Sequence, residues 1–212
     1  MIIEKLDKHL REENIGEKQP DCFRISSLGQ CFRKRFWERK GEPKEPLDER
    51  TLRVFQVGKI YHSYLQEVLK TDLIGSEIEV RVGDFVGHID AIIKGDKGNT
   101  LLDFKTVNSR KFNFIGGEAD RHYIMQLLTY AILAEKKYNI TESRLVYISK
   151  DDFRMCEKVY KLDDNWRFDI ASDMKQLDDY WRNNELPPAI PQAKWECSYC
   201  NFKQCPSYKV KQ

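Results

Sequence analysis

Long apolar runs are absent from this sequence. Although 41% of its 212 residues are hydrophobic, no stretch approaches the roughly 20 consecutive apolar residues that a membrane helix requires. The first residues, MIIEKLDKHLREENIG, have the pattern of a charged amphipathic helix and lack the apolar centre of a secretion signal. We therefore expect an intracellular, cytoplasmic protein without a membrane partner.

An excess of charge of either sign is also missing. The chain has 36 basic and 34 acidic residues and a formal net charge of +2, so bulk charge alone indicates neither nucleic acid nor a membrane surface as a partner. Any binding surface must be local. Internal repeats and low-complexity tracts are lacking too. The length is that of one domain with appendages.

Hydrophobic periodicity predicts a mixed α/β protein. Helical spacing covers residues 50–70, 119–137 and 163–184, in addition to the N-terminal helix. Strand-like runs occupy residues 77–82, 85–93, 100–107, 143–150 and 153–162. The first three strands are joined by short turns and form a meander, and helices flank them. This order favours a mixed sheet covered by helices.

The chain divides into three segments by composition. The N-terminal segment, residues 1–50, is helical. It includes a second helix, which begins at a capping box formed by Ser27 and Gln30 and ends at Gly41. The core spans 51–186. Prolines then precede a cysteine-rich tail, 187–212.

Two ionisable residues interrupt the apolar strand LLDFKTV, residues 101–107. Asp103 and Lys105 share one face because side chains alternate along a strand. A turn centred between Asp96 and Lys97 places Asp90 opposite Asp103. Facing carboxylates destabilise a sheet, and a divalent cation removes that penalty, since Mg²⁺ takes one or two carboxylates plus phosphate oxygens. Lys105, beside this cation, can orient or deprotonate a water and stabilise the charge that builds on the phosphate.

Strand alternation also places Asp90 opposite to its apolar neighbours, which are Ile89, Ala91 and Ile93. A second interpretation of the same residues is an edge strand with a solvated polar face. Lys105 and Asp103 would then be an ordinary surface ion pair.

The motifs of this chain, taken in order, resemble the RecB-like branch of the PD-(D/E)xK nuclease superfamily, especially the CRISPR-associated Cas-four type and the AddB nuclease domain, which are iron-sulfur exonucleases. The matching motifs cover roughly residues 22–208: Cys31 in SSLGQCFRKRFW, His62 in GKIYHSYL, Asp90 in GHIDAII, Asp103 and Lys105 in DFK, Gln126 and Tyr130 in MQLLTYA, then Cys197, Cys200 and Cys205. The resemblance implies a restriction-endonuclease-like core, with a central mixed β-sheet flanked by helices.

The resemblance also implies the roles of the polar residues. His62, Asp90 and Asp103 would be metal ligands together with the Phe104 carbonyl, and Lys105 would be the catalytic lysine. An imidazole ligand makes Mn²⁺ as suitable as Mg²⁺. A histidine beside the apolar stripe of a helix can equally be a structural residue whose hydrogen bonds are satisfied within the fold.

Two further regions are candidates for DNA contact. Gln126 and Tyr130 are four residues apart and share a helix face, and the resemblance implies that they face DNA. Cations alternate with aromatic residues on the predicted second helix: Arg33, Lys34, Arg35, Arg39 and Lys40 with Phe32, Phe36 and Trp37. Such a mixture can neutralise phosphates and stack unpaired bases, or its aromatics can be core and its cations solvated.

Six cysteines include three within nine residues of the tail: Cys197, Cys200 and Cys205. By resemblance, Cys31 is the fourth ligand of a 4Fe-4S cluster that joins the N-terminal and C-terminal segments. Four cysteines suit structural zinc equally. Four residues precede the last cysteine here, where relatives often have five. Cys156 fits a small core residue, and Cys22 is unassigned.

The resemblance implies a metal-dependent DNA nuclease that acts as an exonuclease on single-stranded or frayed ends. The alternative is a catalytically weak nucleic-acid-binding or assembly module on a nuclease scaffold, with zinc in place of the cluster. Helicase motifs are absent, so unwinding would come from a partner helicase, and an integrase is another candidate partner. The sequence carries no signal of oligomeric state.

Overall fold

A computed structural model describes residues 1–16, 21–115 and 119–208. The last four residues of the predicted tail lie outside the described residues. The helices are α1 (Ile2–Gly16), α2 (Phe32–Lys40), α3 (Glu49–Val68), α4 (Ser109–Phe112), α5 (Arg121–Tyr138), α6 (Asp164–Arg182) and α7 (Glu196–Tyr199). The strands are β1 (Phe23–Arg24), β2 (Leu73–Val82), β3 (Phe85–Gly95), β4 (Gly98–Val107), β5 (Ile140–Ser149) and β6 (Met155–Tyr160).

The strands form one mixed sheet. Its order is β1-β3-β4-β5-β6, and β2 also pairs with β3. The β2–β3, β3–β4 and β5–β6 pairs are antiparallel, whereas β4–β5 and β1–β3 are parallel. The parallel β4–β5 connection is made through α5, as a crossover helix requires. The predicted mixed α/β fold with a central sheet flanked by helices is confirmed.

Apolar side chains pack on both faces of the sheet. The larger core gathers residues of α5, α6 and α2 with inward-facing strand residues such as Ile89 and Leu101. The smaller core joins Leu65 of α3 to Leu102 and Phe104 of β4. Because successive residues of β4 belong to different cores, this strand alternates as predicted. Asp103 and Lys105 therefore lie on the α5 side of the sheet.

The start of α2 differs from the prediction. The N-cap residue is Cys31, and it makes no side-chain capping hydrogen bond. Ser27 instead ends a short 3₁₀ turn and donates its hydroxyl to the Arg24 carbonyl, so the capping-box assignment was wrong. The predicted end is correct, since Gly41 takes the left-handed conformation with φ 73°.

No helix within the described ranges is both long enough and apolar enough to cross a bilayer.

Candidate active site

A gap in one edge of β3 creates the site. β2 pairs with β3 from Phe85 to Ile93 and so occupies one edge of that strand. The opposite edge is shared by β1, which pairs at Phe85 and Val86, and by β4, which pairs from Ala91 onward. Residues 87–90 face neither strand in the ladder. We call this opening the strand gap.

The predicted hairpin register is confirmed, but its last pair is not formed. Ala91 lies opposite Leu102, and the same register would bring Asp90 opposite Asp103. The ladder ends one residue earlier, because the Asp90 side chain replaces a backbone partner: its Oδ2 accepts a hydrogen bond from the Phe104 backbone N–H at 2.6 Å. The two aspartates therefore meet where the strands separate.

The backbone is irregular on both strands at Asp90. Its neighbour across the β2–β3 ladder, Glu77, has a φ of 49°, which is unusual for a residue other than glycine. Gln66 of α3 donates to the Glu77 carboxylate at 2.8 Å and to the Asp90 carbonyl at 3.0 Å. Ile89 packs in the larger core and Ala91 in the smaller one. The predicted alternation around Asp90 was wrong, because the strand changes phase at this residue.

His62 comes to Asp90 from α3. Its Nδ1 lies 3.6 Å from the Asp90 Oδ1, an ion-pair distance that is long for a hydrogen bond. The imidazole also packs edge-on against the Phe104 ring, with centroids 5.4 Å apart. Burial lowers the pKa of His62, but Asp90 outweighs this effect and the pKa is raised overall. Gln66, which follows His62 by one helical turn, was missed by the sequence reasoning, although that spacing is the signal for a shared face.

Asp103 and Lys105 form a buried pair on the α5 side. The Lys105 Nζ lies 2.6 Å from the Asp103 Oδ2, with 14% and 0% of the two side chains exposed. Lys105 also donates to the Gln126 Oε1 at 2.9 Å and lies 4.9 Å above the Tyr123 ring. The surface-pair alternative is excluded by this burial. Tyr123 was not singled out from the sequence, and only its position three residues before Gln126 indicates it.

Burial dominates the electrostatics of this pair. It raises the pKa of Asp103 to about 6, against the lowering effect of Lys105 and with the aid of the nearby Asp90 charge. The pKa of Lys105 is lowered by burial but raised by Asp103 and Asp90, and the net shift is upward. Lys105 is therefore the counter-charge that favours the ionised form of this buried carboxylate.

The donor set fits a hard divalent cation. Both Asp103 oxygens are buried; Oδ2 is paired with the Lys105 ammonium, whereas Oδ1 has no partner among the described residues. A buried carboxylate oxygen without a partner is costly unless a cation or a donor uses it. Among the described residues, no three histidine, cysteine, aspartate or glutamate side chains are gathered into a ready-made ion site. Asp90, Asp103 and His62 nevertheless supply the oxygen and nitrogen donors that Mg²⁺ or Mn²⁺ accepts.

Gln126 and Tyr130 are both largely buried, with 7% and 2% exposed. Gln126 makes two hydrogen bonds on this helix face: it accepts one from the Lys105 Nζ and donates one to the Tyr130 hydroxyl at 3.4 Å. The Tyr130 ring packs onto Gly87, where an added Cβ would lie 2.6 Å from ring atoms. In this structure Gln126 holds Lys105, and Tyr130 borders the strand gap at Gly87.

The cations of α2 are mostly engaged with the protein. Arg35 is 1% exposed, and its Nη1 lies 2.7 Å from the Asp173 Oδ1 in α6. No DNA phosphate reaches it there. Arg33 is half-buried and donates its Nε to the Pro187 carbonyl at 2.7 Å. Phe36 and Trp37 are core residues, as the second alternative for this helix has them, but Arg33 and Arg35 bind protein groups and are not solvated.

The four cysteines predicted to act together line a single pocket. Cys31 at the start of α2 meets the tail residues Cys197, Cys200 and Cys205 there. Glu196, which is 5% exposed, accepts a hydrogen bond from the Cys31 backbone N–H at 2.8 Å. Burial raises the pKa of the Cys31 thiol. We call this opening the cysteine pocket. Cys22 lies elsewhere, in the wall of a different pocket.

Comparison with known proteins gives a consistent result. Residues 34–205 match the sequence model of the PD-(D/E)XK nuclease superfamily. The crystal structure of SSO0001 is similar with a TM-score of 0.65 and 26% identity, over 99% of this chain and 98% of that chain. The alkaline exonuclease LHK-Exo from Laribacter hongkongensis is similar with a TM-score of 0.52 and 12% identity, over 84% of this chain and 97% of that chain. Its complex with dAMP has a TM-score of 0.52 at 14% identity, over 77% of this chain and 93% of that one. No curated protein is significantly similar in sequence.

Proposed function

This chain belongs to the PD-(D/E)XK nuclease superfamily, and from that premise we propose that it is a metal-dependent nuclease that hydrolyses phosphodiester bonds in DNA. One observation carries the proposal. A buried carboxylate, Asp103, whose Oδ2 is paired with Lys105 and whose Oδ1 has no partner among the described residues, lies next to Asp90 and His62 at a gap in the sheet. A structural role alone does not account for this set, because even a paired buried charge contributes little net stability to a fold.

The side chains would divide the work as follows. Asp90, Asp103, His62 and the Phe104 carbonyl would hold Mg²⁺ or Mn²⁺. The bound ion would activate a water as nucleophile and offset negative charge on the phosphate. Lys105 would donate from Nζ to a non-bridging phosphate oxygen, where charge grows during attack.

Neighbouring side chains of the chain position these groups. Gln126 accepts from the Lys105 ammonium and so limits its rotation. Gln66 binds the Asp90 carbonyl and holds the irregular backbone that aims this carboxylate at β4. Hydrogen bonds of this kind keep reactive groups within the narrow range of geometries that catalysis requires.

We further assign the chain to the RecB-like branch, as an exonuclease on single-stranded or frayed ends. The order of motifs from Cys31 to Cys205 supports this assignment, and the fold shared with an alkaline exonuclease agrees with it. In the same proposal the chain is one nuclease domain, with 1–50 and 187–212 appended to the core 51–186. A helicase or an integrase would be its partner.

A cleavage assay on linear and circular single-stranded DNA tests the function. We expect linear DNA to be shortened progressively in Mn²⁺ or Mg²⁺ and to stay intact in EDTA, because two carboxylates cannot activate water without a cation. Closed circles should persist. Cleavage that survives EDTA would refute the metal-dependent proposal, and rapid cutting of circles would refute the exonuclease assignment alone.

We also propose that the cysteine pocket holds a 4Fe-4S cluster, with structural zinc as the rival occupant. Thiolates of Cys31, Cys197, Cys200 and Cys205 would be its ligands. Residues of both α2 and the tail line the pocket. A bound group would therefore crosslink two segments that are far apart in sequence and restrict the conformations of the unfolded chain. The carboxylate of Glu196 would keep holding the Cys31 backbone.

Anaerobic purification tests this occupant. We expect brown protein with visible absorbance and about four iron and four sulfide per chain if the cluster is present. Cys205→Ser should lose the colour, whereas Cys156→Ser should keep it, because Cys156 lies in β6 and away from the pocket. Colourless protein with bound zinc would refute the 4Fe-4S proposal and show that the pocket holds structural zinc.

A further inference from the structure

A second pocket adjoins the strand gap. Its volume is about 510 Å³, within the range of sites that hold small organic molecules. Arg24 and Arg81 stand on its rim, His88 and Val86 come from β3, and Gln126 and Tyr130 come from α5. We call it the arginine pocket. Its wall between β1 and α5 exists because the edge of β3 that faces away from β2 has no strand partner at residues 87–90.

The charge of the arginine pocket is positive. Among the described residues, the guanidinium groups of Arg24 and Arg81 make no hydrogen bond or ion pair, and both side chains are exposed. The carboxylate in the wall, Glu79, is 3.8 Å from the His88 Nε2, so its charge is directed toward that imidazole. Two unpaired guanidinium groups recognise phosphate well, because each presents several donors in a planar fork.

The arginine pocket communicates with the proposed reaction site through one side chain. Gln126 lines the pocket and also accepts the hydrogen bond from the Lys105 Nζ. Strand β3 also contributes to both sites, because His88 lines the pocket and Asp90, two residues later, belongs to the proposed reaction site. A ligand bound in the pocket would therefore lie beside the proposed reaction site.

We propose that the arginine pocket binds one unpaired nucleotide of a single-stranded DNA substrate, adjacent to the phosphate that is cleaved. Arg24 and Arg81 bind its phosphate, and the apolar wall at Val86 and Gly87 takes the base. A base in a duplex would have to leave its stack and its pair to enter this cavity, which favours an unpaired nucleotide. This inference rests on the proposed nuclease function and adds a reason for the choice of single strands.

Direct binding without cleavage tests the inference. The labelled probes are an oligothymidylate and a blunt hairpin duplex, titrated with protein in EDTA and followed by fluorescence anisotropy. For Arg24→Ala/Arg81→Ala we expect a loss of affinity for the single strand of about 10- to 100-fold. The slope of log affinity against log salt should decrease by about 0.7, because the two arginines share one phosphate and each phosphate neutralised on a single strand contributes about 0.7.

A matched variant controls for the loss of charge. Lys94→Ala/Lys97→Ala also removes two exposed cations, but at the other end of the β3–β4 hairpin. Its affinity for the oligothymidylate should stay within about twofold of wild type. Ser26→Trp adds a steric test, since Ser26 lines the pocket and an indole there should weaken single-strand binding without changing the charge.

Three results would overturn the inference: wild-type protein that does not bind the oligothymidylate, arginine variants that bind it normally, or an equal loss for the blunt duplex. The nuclease proposal fails separately. If the wild-type protein cleaves no DNA in Mn²⁺ yet the arginine variants selectively lose single-strand binding, nucleotide binding in the pocket is supported and the hydrolytic function is refuted.

Discussion

Asp103→Asn is expected to lower the rate of DNA cleavage by on the order of 1,000-fold, the scale of removing one electrostatic group from an active site. Asparagine has nearly the shape of aspartate but lacks the negative charge that would hold a cation and face the Lys105 ammonium. The fold should persist. Burial raises the pKa of Asp103, so the charged form is costly here, and Lys105 retains Gln126 as an acceptor.

Initial rates on linear single-stranded DNA in Mn²⁺ measure this effect, with circular dichroism as the check on folding. Asp96→Asn is the control, because Asp96 lies in the exposed turn between β3 and β4 and undergoes the same chemical change. We expect its rate to equal that of wild type. Lys105→Met should also lose activity, since it removes the ammonium with little change in length. Normal rates in both site variants would exclude this pair from the reaction.

Asp173→Ala is expected to reduce the free energy of unfolding by about 3–5 kcal/mol, the range for removing one partner of a buried ion pair. The Arg35 side chain is 0% exposed, and its Nη1 lies 2.7 Å from the Asp173 Oδ1. Burial lowers the pKa of Arg35 and raises that of Asp173. Without the carboxylate, a buried guanidinium would have no counter-charge at that position, and the Gly29 N–H would lose its acceptor.

Urea unfolding monitored by tryptophan fluorescence provides the measurement. Asp169→Ala is the matched control: it lies one turn earlier on α6 and pairs with Arg121, with 34% and 56% of these side chains exposed. An exposed pair of this kind contributes about 0–1 kcal/mol. Arg35→Met combined with Asp173→Leu should recover much of the loss, because apolar side chains need no counter-charge. Equal destabilisation by Asp169→Ala and Asp173→Ala would contradict the assignment.

These two predictions concern charges that sequence reasoning treated differently. Asp103 and Lys105 were singled out because ionisable residues in an apolar strand require an explanation, and the structure buries both side chains. Arg35 was grouped with its neighbours as a DNA contact, because a cation in a basic segment has the same local pattern whether it faces solvent or the core. Its partner, Asp173, is 138 residues away in sequence, and no local signal links the two.

The geometry at Asp90 was predicted in part. The short turn at Asp96 determined which residues of β3 and β4 face each other, and the ladder follows that register. The phase change at Asp90 was not predictable, because it depends on Gln66 from α3 and on the unusual backbone of Glu77 from β2. Strand alternation is a local rule and fails where another element binds the backbone.

The amino-acid sequence alone determined the long helices, the longer strands, the mixed sheet and the identity of the polar residues, because periodicity, turns and residue chemistry act over short distances; it did not indicate β1, α4 or α7. Tertiary structure decided the rest. It separated β3 from β4 at Asp90, placed Gln126 against Lys105, buried Arg35, and brought Cys31 to the three cysteines of the tail. Each of these depends on contacts between distant segments, whose relative positions are set by the packing of the whole core.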